Sequence, residues 1–119
     1  MTLNEYQKKA MSTCMPSCEN FAYMMLNLVG EVGELSSKVA KAIRKGHISI
    51  EYDEIVPTNK IANEVLLTEL QAEAGDILWQ LSGLCEIMGW KLEDVAQANL
   101  DKLASRKERG VIDGNGDNR

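Results

Sequence analysis

An eight-residue pattern occurs twice in this chain, as Leu28-Val29-Gly30-Glu31-Val32-Gly33-Glu34-Leu35 and as Leu70-Gln71-Ala72-Glu73-Ala74-Gly75-Asp76-Ile77. Each copy sets two carboxylates three residues apart, beside a glycine and between aliphatic residues. On a helix that spacing puts both acids on one side, about one turn apart. Two such helices facing each other would direct Glu31, Glu34, Glu73 and Asp76 at one point. Oxygen ligands gathered in this way are what a hard divalent cation such as Mg²⁺ requires. The fold therefore has to lay two long helices side by side with their acidic edges in register.

A chain of 119 residues has room for one core, so residues 1–119 read as a single domain. Only 2 prolines and 9 glycines suit long helices better than a turn-rich β fold, and the expectation is all-α. Aromatics make up 5% of residues, which leaves the core to aliphatic side chains and methionine. A net charge of −5 argues against general nucleic-acid binding. It does not exclude a phosphorylated small molecule, because cations held by the acids reverse the local sign. Cys14, Cys18 and Cys85, without a paired C-x-x-C and with His47 as the single histidine, make no zinc site; they read as structural thiols of a reduced, cytoplasmic chain. The first residues lack an apolar leader, and the most apolar run, Phe21 to Gly30, contains Asn27 and is too short to span a bilayer. A soluble chain with no membrane partner is expected.

Taken in order, Thr2 and Glu5 form a capping box for a first helix reaching about Thr13, which Pro16-Ser17 breaks. A second helix is predicted from about Glu19 to Lys45, ended by Gly46. Phe21, Met25, Leu28, Val32, Leu35, Val39 and Ile43 give it a buried stripe, with Glu31 and Glu34 to one side. Lys38, Lys41 and Lys45 share that flank, either as a solvated face paired with the glutamates or as phosphate contacts. Residues 46–58 show no helical stripe and read as a connecting loop with room for a short helical or extended piece; His47 reads as a surface or C-cap side chain. A third helix should run from Thr58 or Asn59 to about Met88 on the stripe Leu66, Leu67, Leu70, Ala74, Ile77, Leu81, Leu84 and Met88. Glu73 and Asp76 have the same phase against it as the first pair has against its own stripe. Gly33 and Gly75 occupy equivalent places, which suggests close approach of helices or ligand. A last helix spans about Lys91 to Arg109, with Asn99, Lys102, Arg106 and Arg109 along one edge, before a Gly/Asn/Asp-rich tail over residues 110–119.

Two matched acidic pairs favour a metal site, since carboxylates so close would repel one another unless a cation neutralised them. A ferritin-like di-iron centre fails for want of Glu-x-x-His, and the tail cannot complete an EF-hand loop. No Walker-type glycine loop or nucleophile–histidine pairing is present.

Glu31-Val32-Gly33-Glu34-Leu35 followed by Glu73-Ala74-Gly75-Asp76-Ile77-Leu78 resembles the paired E-x-x-E and E-x-x-D motifs of the MazG-like all-α nucleoside triphosphate pyrophosphohydrolases. Asn99-Leu100-Asp101-Lys102-Leu103-Ala104-Ser105-Arg106 is similar to the N-x-x-K-L-x-x-R segment that follows in that family, and the stretch from Arg106 to Arg119 resembles a small bacterial and phage subgroup. The resemblance implies a helical bundle completed by homo-oligomerisation, as a homodimer or homotetramer. It implies cleavage between the α- and β-phosphates of an NTP or dNTP, with Mg²⁺ as cofactor and Mn²⁺ as a substitute, in nucleotide-pool housekeeping. Glu31, Glu34, Glu73 and Asp76 would hold metal and orient the attacking water, and Asn99 and Lys102 would contact phosphates. From their helix edges we add Lys38, Lys45, Arg106 and Arg109 as phosphate contacts. Base recognition in the family draws on early-helix residues and on the helix of the second motif, here Asn20, Phe21, Trp79 and Gln80. Trp79, placed opposite the core stripe, reads as either an oligomer contact or a base-stacking ring. The residues also fit an alarmone hydrolase, or a non-catalytic helical oligomer that binds nucleotide or protein through a remnant acidic site.

Overall fold

The computed structural model describes all 119 residues, as four helices, one 3-10 turn and one β-hairpin. Helix α1 spans Leu3–Met11 and begins in the expected reciprocal cap, Glu5 N–H on Thr2 Oγ1 at 3.0 Å and Thr2 N–H on Glu5 Oε2 at 2.9 Å. A 3-10 turn at Pro16–Cys18 leads to Asn20, whose side chain caps helix α2, Phe21–Arg44. Helix α3, Lys60–Met88, starts on an Asn59 cap and stops where Gly89 turns to φ 73°. Helix α4 covers Leu92–Glu108. These bounds lie within two residues of those the sequence predicts.

The pairing of α2 with α3 organises the molecule. Near one end Ala42 and Leu66 are buried together against Val39 and Leu70. Near the other, Met24 fills the space that a side chain at Gly83 would take, where an added Cβ would come 2.3 Å from its sulfur. Two helices that touch at 42 with 66 and at 24 with 83 run antiparallel, and the two acidic motifs meet midway between those anchors.

Residues 46–58 are an addition to the all-α expectation. Strand β1, Ile48–Glu51, pairs antiparallel with β2, Glu54–Pro57, in the register Ile48 with Pro57 and Glu51 with Glu54. Tyr52 and Asp53 make the two-residue turn at φ 51° and 63°, the positive values a hairpin with right-handed twist needs. Buried Ile48 closes the Ala42–Leu66 cluster, so the hairpin plugs the open end of the α2–α3 pair.

The packing corrects the expected stripe of α2 and shows what surrounds the glycines and Trp79 within the chain. On α2 the face turned to α3 runs through Met24, Asn27, Leu28, Glu31, Leu35, Lys38 and Ala42, while Phe21, Met25, Val32 and Ile43 of the predicted stripe are exposed. The helix is rotated so that polar groups enter the groove and part of the apolar stripe faces outward. Gly33 and Gly75 lie in open space within the chain; the close approach falls at Gly83. Trp79 meets α1. Its indole N–H donates to Ala10 O at 3.1 Å and Thr13 Oγ1 at 2.9 Å, so within this chain it holds α1 in place.

Candidate functional site

Glu31 from α2 and Glu73 and Asp76 from α3 each offer a carboxylate oxygen, and these three atoms lie within 4.8 Å of one another. Antiparallel packing with matched helical phase produces this convergence. Glu31 and Glu73 are half-buried in the groove and Asp76 is exposed at its edge. Glu34 is exposed and stands outside the cluster, near enough to repel the charge on Glu31. Burial, then repulsion from Glu34, Asp76 and Glu73, pushes the Glu31 carboxyl above the ordinary glutamate range, against a hydrogen bond from Asn27. One oxygen of Glu31 and one of Glu73, both Oε2, are buried with no hydrogen-bond partner. Buried carboxylate oxygens ordinarily find a partner. A divalent cation held among these carboxylates would relieve the repulsion, and an all-oxygen donor set suits Mg²⁺ or Mn²⁺. The residues present therefore fit a metal ion.

Behind the acids runs a polar bridge between the two helices. Asn27 Nδ2 reaches Gln80 Oε1 at 2.9 Å and Glu31 Oε1 at 3.2 Å, with Tyr23 OH at 3.4 Å. Gln80 is fully buried and donates through Nε2 to Met24 O at 3.3 Å. Gln80, expected at a base pocket, thus ties α3 to α2 one turn from Asp76. Tyr6 of α1 is near enough to Asp76 for its hydroxyl to be pushed up, by burial first and by that carboxylate second. Neither Asn27 nor Tyr6 was singled out from the sequence as a site residue. The four-residue step from Asn27 to Glu31 was the one available signal.

Lys38 lies across the same groove. Its Nζ is 3.4 Å from Glu73 Oε1 and 3.8 Å from Glu69 Oε2, so it pairs across the helices instead of with glutamates of its own helix. With Lys41, Lys45, His47 and Glu69 it lines a cavity of about 320 Å³ beside the hairpin. The residues on α4 stand apart. Asn99 and Lys102 line a shallow groove with Trp90, Lys91 and Asp94. Lys102 and Arg106 are ion-paired only with Asp117 of the tail. Arg109 hydrogen-bonds Ser105 and Arg119. One chain therefore brings Glu31, Glu73, Asp76 and Lys38 together, but forms no ion pair between the acids and Lys102, Arg106 or Arg109. Cys18 and Cys85 are buried, and all three cysteines are free thiols, as expected. No helix is long and apolar enough to cross a membrane.

The family model described as the MazG nucleotide pyrophosphohydrolase domain matches residues 19–111, a span that contains both acidic motifs and all of α4. Among curated proteins the chain is similar to the Gene 37 protein of Mycobacterium phage L5, 40% identical over 103 residues, which cover 87% of this chain and 80% of that protein. No solved structure gives a significant match.

Proposed function

The chain belongs to the MazG nucleotide pyrophosphohydrolase domain family, and from that premise we propose that it hydrolyses a nucleoside triphosphate, ribo or deoxy, between the α- and β-phosphates. The products are the monophosphate and pyrophosphate, and the setting we assign is cytoplasmic nucleotide-pool housekeeping, with neither nucleic acid nor membrane as partner. The observation that carries the reading is the convergence of Glu31, Glu73 and Asp76 with two buried carboxylate oxygens left unpartnered.

Glu31, Glu73 and Asp76 would hold Mg²⁺, with Mn²⁺ as a substitute. When bound, the metal neutralises phosphate oxygens and acidifies a water molecule. Glu34, exposed at the rim and outside the cluster, is the carboxylate left to orient the attacking water and accept its proton. Asn27 and Gln80 fix Glu31 relative to α3. Lys38, paired with Glu73 across the groove, would contact the departing pyrophosphate, with Asn99, Lys102, Arg106 and Arg109 as further phosphate contacts. The ring of Trp79 is left for base stacking only on the face that α1 does not cover. A homodimer or homotetramer would supply the α4 edge to the acids of a second copy, since one chain does not join them.

Pyrophosphate release from a panel of NTPs and dNTPs in Mg²⁺ tests this. Wild type should turn over at least one nucleotide, and Glu73→Gln should lose on the order of 100-fold or more in rate. Equal release from Glu34→Gln, Glu73→Gln and wild type would overturn the assignment.

A further inference from the structure

Residues 111–119 fold back along α4 around a group of four cations. Arg106 is 5% exposed, and its Nη2 donates to the carbonyl oxygen of Asp117 at 3.2 Å and to Asp117 Oδ1 at 3.3 Å. Its Nε is buried with no acceptor. Lys102 Nζ, one turn earlier, lies 3.5 Å from the same Oδ1. Arg109, about one turn later, donates to Ser105 Oγ at 3.1 Å and to the main-chain oxygen of Arg119 at 2.7 Å. The Arg119 guanidinium turns in to the Gly116 carbonyl, and its Nε too is buried without a partner. The fold-back is tight: a Cβ at Gly114 would come 2.7 Å from Arg119 Cδ and 3.1 Å from Val111 O.

Lys102 and Arg106 thus share the Asp117 carboxylate, with Arg109 and Arg119 held beside them on hydroxyl and main-chain oxygens. Hydrogen bonding from Arg106, then the charge of Lys102, holds the Asp117 carboxyl below the usual range. A buried, permanently charged guanidinium with an idle N–H is costly unless an anion completes it. The patch is locally cationic in a chain whose net charge is −5.

We propose that Lys102, Arg106, Arg109 and Arg119 form an anion site for the phosphate groups of a polyphosphate, and that Asp117 is a tethered carboxylate which the ligand displaces. A phosphate group offers three oxygens where Asp117 presents one, and the planar fork of arginine binds such oxygens in pairs. The tail is then a latch, closed on its own anion and opened by phosphates. The inference rests on the reading of Lys102 as a phosphate contact, but not on hydrolysis.

Titration calorimetry of the full chain with inorganic tripolyphosphate, in chelator, tests it free of metal, nucleoside and turnover. Asp117→Asn should bind about fivefold more tightly than wild type, the scale of one exposed ion pair. Asp113→Asn removes the same charge from the same tail without touching the cations, and should match wild type. Lys102→Met, at an exposed position, should weaken binding in both the wild-type and the Asp117→Asn backgrounds. The proposal is overturned if Asp117→Asn binds no better than wild type, if Asp113→Asn tightens binding equally, or if neither wild type nor Asp117→Asn binds tripolyphosphate. Tighter binding by Asp117→Asn in a protein that hydrolyses no nucleotide would leave the latch standing and remove the pyrophosphohydrolase reading alone.

Discussion

Glu31 is held in a place that disfavours its charge, and the sign of the consequence follows from linkage. Its folded value is raised, so the metal-free fold gains from a protonated carboxyl below the ordinary glutamate range. That gain is lost as pH climbs through the raised value. Thermal melts in chelator should therefore show wild type losing a few degrees relative to Glu31→Gln as pH rises above the ordinary glutamate range, about 4. Millimolar Mg²⁺ should recover the loss for wild type and do little for the variant. Parallel melting curves at every pH would refute the account. The acids could be read from the sequence because repetition with a fixed helical phase encodes direction as well as identity. Lys38 was read on the correct flank, but its partner Glu73 depends on which face of α3 lies opposite. Asn27 does not stand out in the sequence, because a polar residue four positions from an acid is common and only packing distinguishes a bridge from a surface amide, while Tyr6 nears Asp76 only through the packing of α1 on α3.

At the level of elements, helix ends were legible and rotations were not. Caps and left-handed glycines act over a few residues, so Thr2, Gly46 and Gly89 mark their boundaries locally, while the Asn20 cap of α2 emerges from the structure. The hairpin is legible only as room for a short extended piece, because Tyr52-Asp53 is not a turn dipeptide of the Asn-Gly kind, although Ile48 to Glu51 alternates as a strand should. Nor did the sequence reveal how α4 starts, since Lys91 gives it no side-chain cap. Gln7 of α1 does that work from a distance. Its Oε1 accepts Leu92 N–H at 2.7 Å, and its Nε2 donates to Glu86 Oε2 and Trp90 O, both at 3.0 Å. Gln7→Leu keeps the volume and strips all three bonds, so it should cost about 1–3 kcal/mol in chemical denaturation. A variant as stable as wild type would mean that α4 is anchored by other contacts.

The whole molecule exposes more surface than a compact monomer of its size ordinarily does. Only 14 of its 119 residues are buried, and it exposes 8511 Å², where a folded chain of 13.2 kDa ordinarily exposes about 6,400 Å². The excess, about 2,000 Å², has the scale of an obligate interface. Leu26 and Val29, each 72% exposed, put apolar surface on the outer face of α2. Sedimentation should give two or four times the 13.2 kDa chain mass, and Val29→Glu should shift the population toward monomer. A wild-type protein that stays monomeric at high concentration would rule this out. The Lys38–Glu73 pair bears on how such a molecule is made. With an ammonium already inside the acidic groove, a newly synthesised chain can fold where divalent ions are scarce. On the proposed metal-site reading, cation loading would then follow folding and be set by the free cation level around the protein.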